Sequence, residues 1–227
     1  MGSIQGQLGG VRMKERGIIF NGAMVRAILS GKKTQTRRIM KQQPPERWQP
    51  VTLSCEPDLQ ARTYTKGVVD RHGCLQAGPE VFGVADEEWG AVSPFGKPGD
   101  RLWVRETFGD CGVRLAYRAD TDDGAACQVK RWTPSIHMPR AAARILLEIT
   151  DVRVERLNDI SNDDAMAEGM DDGTSEAALS VGWFEKPRRA FQRLWTQIYG
   201  QESWEGNPWV WIYEFKQVPA SAGKGSV

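Results

Sequence analysis

Histidine and cysteine are scarce in this sequence. Its two histidines are His72 and His137, and its four cysteines, Cys55, Cys74, Cys111 and Cys127, form no C-x-x-C pair. So few imidazoles leave a Ser-His-Asp triad with almost no candidates. The cysteine spacing argues against a structural zinc site and fits reduced thiols in a cytoplasmic protein. There is no run of about 18 apolar residues, so no membrane-spanning helix is expected. The N-terminus lacks the basic-then-apolar order of a secretory signal. With 30 Lys and Arg against 29 Asp and Glu, the net charge is +1. That balance excludes a polybasic binder driven by bulk charge, though not a local basic groove. No glycine-rich nucleotide fingerprint and no regular strand-helix-strand alternation is present. Nothing in the pattern implies a cofactor or a bound metal, and oligomeric state is not encoded in it.

The composition, 40% hydrophobic and 26% charged over 227 residues, is that of a globular chain able to bury a sizeable core. Residues 1–12 are rich in Gly and Gln and read as a tag or upstream extension, with a second start-like Met13. Residues 13–218 read as one domain with a long insertion at about 42–98, and 219–227 as a disordered tail. The insertion holds many Pro and Gly and shows no sustained period, so short strands or ordered loops are expected there.

Around it, regular elements are legible. Gly17 to Phe20 reads as a strand. Asn21 caps a helix over Gly22 to Ser30, with Met24, Ile28 and Leu29 on one face and Gly31 as its stop. Thr34 to Ile39 and Arg101 to Phe108 read as strands, as does Arg114 to Arg118. Asp120 to Gly124 reads as a turn, and Trp132 to Arg140 as a loop stiffened by two prolines. Ile145 to Leu157 forms one long or bulged strand. Ser161 and Asp164 have capping-box spacing, starting a helix that carries Glu168 in its last turn before Gly169. Pro187 and Gly200 bracket a helix with the stripe Ala190, Phe191, Leu194, Trp195 and Ile198. Trp209 to Val218 alternates as a strand. The fold class expected is α+β, a mixed β-barrel with short peripheral helices.

Several groups of residues are candidates for chemistry. Lys32, Lys33, Arg37, Arg38 and Lys41 place five positive charges in ten residues without an acid. This is either a solvated basic turn or a loop that contacts phosphate or substrate. Between Leu157 and Glu185 lie eight carboxylates and no Lys or Arg. Glu168 stands out there, because a negative charge at a helix C-terminus opposes the dipole. Trp48, Trp89, Trp132 and Trp204 fall in expected loops, where a Trp either stacks on a base or anchors the loop to the core. His137, beside Arg140 and near Trp132, either lines a pocket or is a hydrogen-bonded structural residue.

The segment Gly31-x-Lys33-x-x-Thr36-x-Arg38 after a short helix resembles the signature of ASCH domains, relatives of the PUA domain with a small β-barrel. Gly99-Asp100-Arg101-Leu102-Trp103-Val104, Ile149 to Leu157, and Val210 to Phe215 resemble three further family segments in the same order, and the string is similar to the phage and prophage branch. Many ASCH domains have Glu where this chain has Thr36. Thr there resembles small bacterial amidohydrolases that remove the acetyl group from acetylcytidine, whose Lys, Thr and Glu match Lys33, Thr36 and Glu168. The resemblance implies a PUA-like domain that binds RNA or a modified nucleoside. Lys33, Thr36 and Glu168 are then the catalytic candidates, and Gly31, Lys32, Arg37, Arg38, Trp132, His137 and Arg140 the substrate-contacting ones. An ASCH-type ribonuclease and a non-catalytic phage protein that binds a host factor are the alternatives it leaves open. In a regular strand the odd spacing of Lys33 and Thr36 puts them on opposite faces, so the pair must straddle a turn into the strand.

Overall fold

The computed structural model describes residues 13–46, 48, 60–85, 89–123, 129–171 and 185–219. The tag-like start and the tail after Pro219 lie outside them. The described chain is strand-rich α+β. Its main sheet contains β1 (Glu15–Ile19), β6 (Arg101–Arg105), β10 (Leu146–Arg156), β11 (Trp209–Val218) and β2 (Gln35–Ile39), adjacent in that order. β1 runs parallel to β6, and the remaining pairs are antiparallel. A second sheet joins β3 (Arg62–Val69), β4 (Leu75–Ala85) and β5 (Gly90–Val92). A third joins β8 (Leu115–Tyr117), β7 (Phe108–Asp110) and β9 (Trp132–Thr133).

These are open sheets, which corrects the expected closed barrel. No ladder joins β1 to β2 among the described residues. The two edges meet instead through the Arg38 guanidinium, which donates to the Ile19 carbonyl at 2.7 Å. The insertion is also more regular than expected: β4 alone has 11 residues and pairs along β3 and β5. Gly and Pro there mark turns and close strand contacts, so they hide strands rather than replacing them.

The helices follow their sequence signals. Asn21 accepts from the Met24 amide to start α1 (Gly22–Leu29). Its buried side chains are Val25 and Ile28, whereas Leu29 is exposed. Ser161 and Asp164 form a complete capping box at α2 (Asn162–Ala167), whose C-cap is Glu168. Pro187 opens α3 (Pro187–Tyr199), and Gly200, at φ 86°, separates it from α4 (Gln201–Glu205). Trp204, expected in a loop, is buried within α4.

β11 has apolar packing on both faces. Trp209, Trp211, Tyr213 and Phe215 join the core that contains Ile18, Val104 and Val154. Val210 and Ile212 join a second core with Phe191, Trp195 and Trp204 of α3 and α4. Each large side chain removed from water contributes about 1.5–3 kcal/mol, so this strand ties the two cores together. Trp48 packs edge-on against Trp89 and Trp209, with centroids 5.0 and 5.1 Å away. These two loop tryptophans are therefore anchors. Cys74 is free and exposed, but Cys111 is disulfide-bonded, which corrects the expectation of reduced thiols throughout. Among the described residues no helix is long and apolar enough to cross a membrane.

Candidate functional site

The site forms where the turn after α1 meets the end of α2. Gly31, at φ 74°, turns the chain out of the helix. The Lys33 amide then donates to the Ala27 carbonyl at 2.9 Å, and the Thr34 amide to the Ala167 carbonyl at 2.8 Å. Lys33 and Glu168 face each other across an isolated antiparallel bridge. Gly169 makes this approach possible. At φ 94° it has a conformation that L side chains avoid, and a Cβ there would meet the Ala27 Cβ at 3.0 Å and the Lys33 Cβ at 3.2 Å. Lys33 thus precedes β2 and Thr36 lies within it; the turn at Ser30 and Gly31 comes before both, and none separates them.

The Lys33 ammonium is completely buried. It donates to Glu168 Oε2 at 2.6 Å and to the Glu168 carbonyl at 2.9 Å. Burial pushes the Lys33 pKa below its ordinary value. The Glu168 charge and hydrogen bond oppose that shift, while Arg38 and Arg37 add to it.

Arg37 is buried as well and faces three carboxylates: Glu155 at 3.3 Å, Asp164 at 3.4 Å and Glu168 at 3.5 Å. Arg153 binds Glu155 at 2.7 Å and Asp164 at 3.0 Å, and also pairs with Glu214. Gln35 closes the network by donating to Asp164 at 3.1 Å. Burial raises the Asp164 pKa, but the Ser161 hydrogen bond, the Arg37 charge and Gln35 outweigh it, so the net shift is downward.

Thr36, Arg37, Arg38 and Glu168 form one side of a cavity of about 290 Å³. Phe191, Leu194, Trp195, Ile198 and Tyr199 of α3 form the opposite wall, and Ile19, Asn21 and Met24 complete the lining. The Thr36 hydroxyl has no hydrogen-bond partner among the described residues. A mostly apolar, partly aromatic cavity with a few convergent polar groups suits a planar ligand with a polar edge. Among the described residues no group of three His, Cys, Asp or Glu side chains converges in a way that could hold a metal ion.

The structure brings Thr36, Arg37, Arg38 and Glu168 to this cavity, with Lys33 directly behind Glu168. Gly31 and Lys32 are exposed on the turn, outside the lining. Trp132, His137 and Arg140 are also absent from its lining. Trp132 is a half-buried residue of β9 beneath the Arg118 guanidinium, 5.3 Å away. His137 is an exposed residue ending a 3-10 turn, and Arg140 pairs with Glu15 at 2.8 Å. The prolines beside them shape a surface turn. Sequence reasoning missed Arg153, Glu155 and Glu214, which lie on paired strands far apart in the chain. Leu194 and Ile198, legible in the sequence only as members of the apolar α3 stripe, also line the cavity. The chain matches no known family model, and neither curated proteins nor solved structures provide a match.

Proposed function

We propose that the chain is a PUA-like domain of the ASCH type that binds an acetylated cytidine in this cavity and hydrolyses its amide. The observation that carries the reading is the position of Glu168. It lines an aromatic-walled cavity beside Thr36 and is bonded at its back to a buried lysine. Aromatic side chains of α3 offer faces against which a base can pack.

The chemistry follows from those positions. A threonine hydroxyl needs a base to become a nucleophile. Thr36 Oγ1 attacks the acetyl carbonyl carbon, and its proton passes to the Glu168 carboxylate, which the Lys33 ammonium holds in place. The same carboxyl group returns the proton to the leaving nitrogen as the C–N bond breaks, releasing cytidine and leaving an acetyl ester on Thr36. Water then cleaves the ester to acetate. Arg38 faces the cavity and can stabilise the oxyanion.

A ribonuclease draws less support, because Lys33 and Arg37 are held in buried ion pairs rather than displayed to a phosphate. The test is hydrolysis of acetylcytidine followed by chromatography, with Lys33→Ala, Thr36→Ala and Glu168→Ala alongside the wild type. Turnover by the wild type and its loss in all three is the expected result. No turnover by a folded wild type contradicts the proposal.

A further inference from the structure

Beside the cavity lies a second groove of about 600 Å³, which shares Arg38 and Tyr199 with it. One side is the segment that follows β2, with Lys41. The other is the insertion, with Lys66 of β3 and Phe95 after β5. The buried Trp211 of β11 forms part of its floor.

Its charge is what distinguishes this groove. Three cations line it, Arg38, Lys41 and Lys66, and among the described residues no carboxylate does. Cations near the cavity are neutralised: Lys33 by Glu168, Arg37 by Glu155, Asp164 and Glu168, and Arg153 by Glu155 and Glu214. Arg38 has no carboxylate partner among the described residues. One of its N–H groups donates to the Ile19 carbonyl at 2.7 Å, and its Nε is buried without a partner. Lys41 and Lys66 are exposed at the groove and form no ion pair among the described residues. Unneutralised cations that converge from separate segments, without an acid between them, attract an anion.

We infer that this groove receives a phosphate of the ligand whose base occupies the cavity. The substrate class is then a phosphorylated nucleoside, either a free nucleotide or a residue in an RNA strand. This rests on the reading of the cavity as a nucleoside site. Arg38, at the junction of the two spaces, touches both parts of such a ligand. The insertion acquires a role as well: it supplies Lys66 and one wall of the phosphate groove.

The test is equilibrium binding to the full chain by calorimetry, with ligands that cannot turn over. These are cytidine, its 5′- and 3′-monophosphates, and a short cytidine oligoribonucleotide. A monophosphate is expected to bind about tenfold or more tightly than cytidine at low salt, the size of one or two charge-assisted hydrogen bonds. That preference is expected to shrink toward one in the double variant Lys41→Ala/Lys66→Ala and as salt is raised. Tighter binding of the oligonucleotide than of either monophosphate identifies RNA as the source of the phosphate. Equal or weaker binding identifies the free nucleotide. Cytidine and both monophosphates binding equally well overturns the inference and leaves the nucleoside reading standing, as does a preference that survives the double variant. Binding of none of the four overturns both.

Discussion

Lys33 Nζ lies 2.6 Å from Glu168 Oε2, with the lysine side chain fully buried and the glutamate side chain 4% exposed. Removing one partner from a buried pair costs about 3–5 kcal/mol, because the other charge stays desolvated. Lys33→Met is therefore expected to destabilise the fold by an amount in that range, since Arg37 is 3.5 Å from the same carboxylate and compensates only in part. The double variant Lys33→Met/Glu168→Leu is expected to lose less than the two single variants summed. Chemical denaturation of all four proteins measures the coupling, and strict additivity would show that the pair does not act as a unit.

The same pair sets a pH dependence. The folded-state pKa of Lys33 lies below its reference value of 10.5, because burial disfavours the charged form. Between that lowered pKa and 10.5 the unfolded chain binds more protons at this residue than the folded chain does. Over that window Lys33 makes stability rise with pH, and below it the contribution is constant. Lys33→Met should flatten the rise. Thermal unfolding of wild type and variant from about pH 7 upward checks this, and superimposable slopes would rule out a lowered lysine pKa.

Thr36 is expected to separate binding from turnover. Thr36→Ala removes one hydroxyl at the cavity wall, so cytidine affinity should change by less than about threefold, whereas hydrolysis should fall at least about a hundredfold, as for loss of a nucleophile. Thr36→Ser, which keeps the hydroxyl, should retain measurable activity. Equal losses of affinity and rate in Thr36→Ala would place this residue in binding alone.

The α3 wall can be tested without touching the polar groups. Ile198 lines the cavity yet is 44% exposed. Ile198→Trp should obstruct the cavity and weaken cytidine binding about tenfold. Stability should stay within about 0.5 kcal/mol, the usual range for surface changes. Unchanged affinity in calorimetry would show that the ligand does not use this wall.

Much of the fold is legible in the amino-acid sequence. The Asn21 cap, the Ser161–Asp164 capping box, the Pro187-to-Gly200 helix and the β11 strand all rest on local chemistry, and each stands where local chemistry puts it. What local signals do not supply is partnership. The alternation from Trp209 to Phe215 suggests one buried and one exposed face, yet Val210 and Ile212 are covered by α3 and α4. The buried ion network depends on β10 pairing with β11 and on β11 pairing with β2, which brings Arg153 to Glu214 and Arg37 to Glu155. Nothing near Arg153 in the chain announces those contacts. The basic run from Lys32 to Lys41 is uniform along the chain, but folding divides it. Lys33 and Arg37 are neutralised inside, while Arg38 and Lys41 face the neighbouring groove.

The most direct measurement is intact-protein mass spectrometry on the full chain, mixed with acetylcytidine and quenched in acid before the reaction is complete. The proposed chemistry predicts a transient gain of one acetyl group that maps to Thr36, absent from Thr36→Ala, together with release of cytidine. Cytidine released with no acetyl group on the protein at any time would contradict the threonine mechanism. Neither product appearing with folded wild type would contradict the assignment of the cavity to an acetylated cytidine.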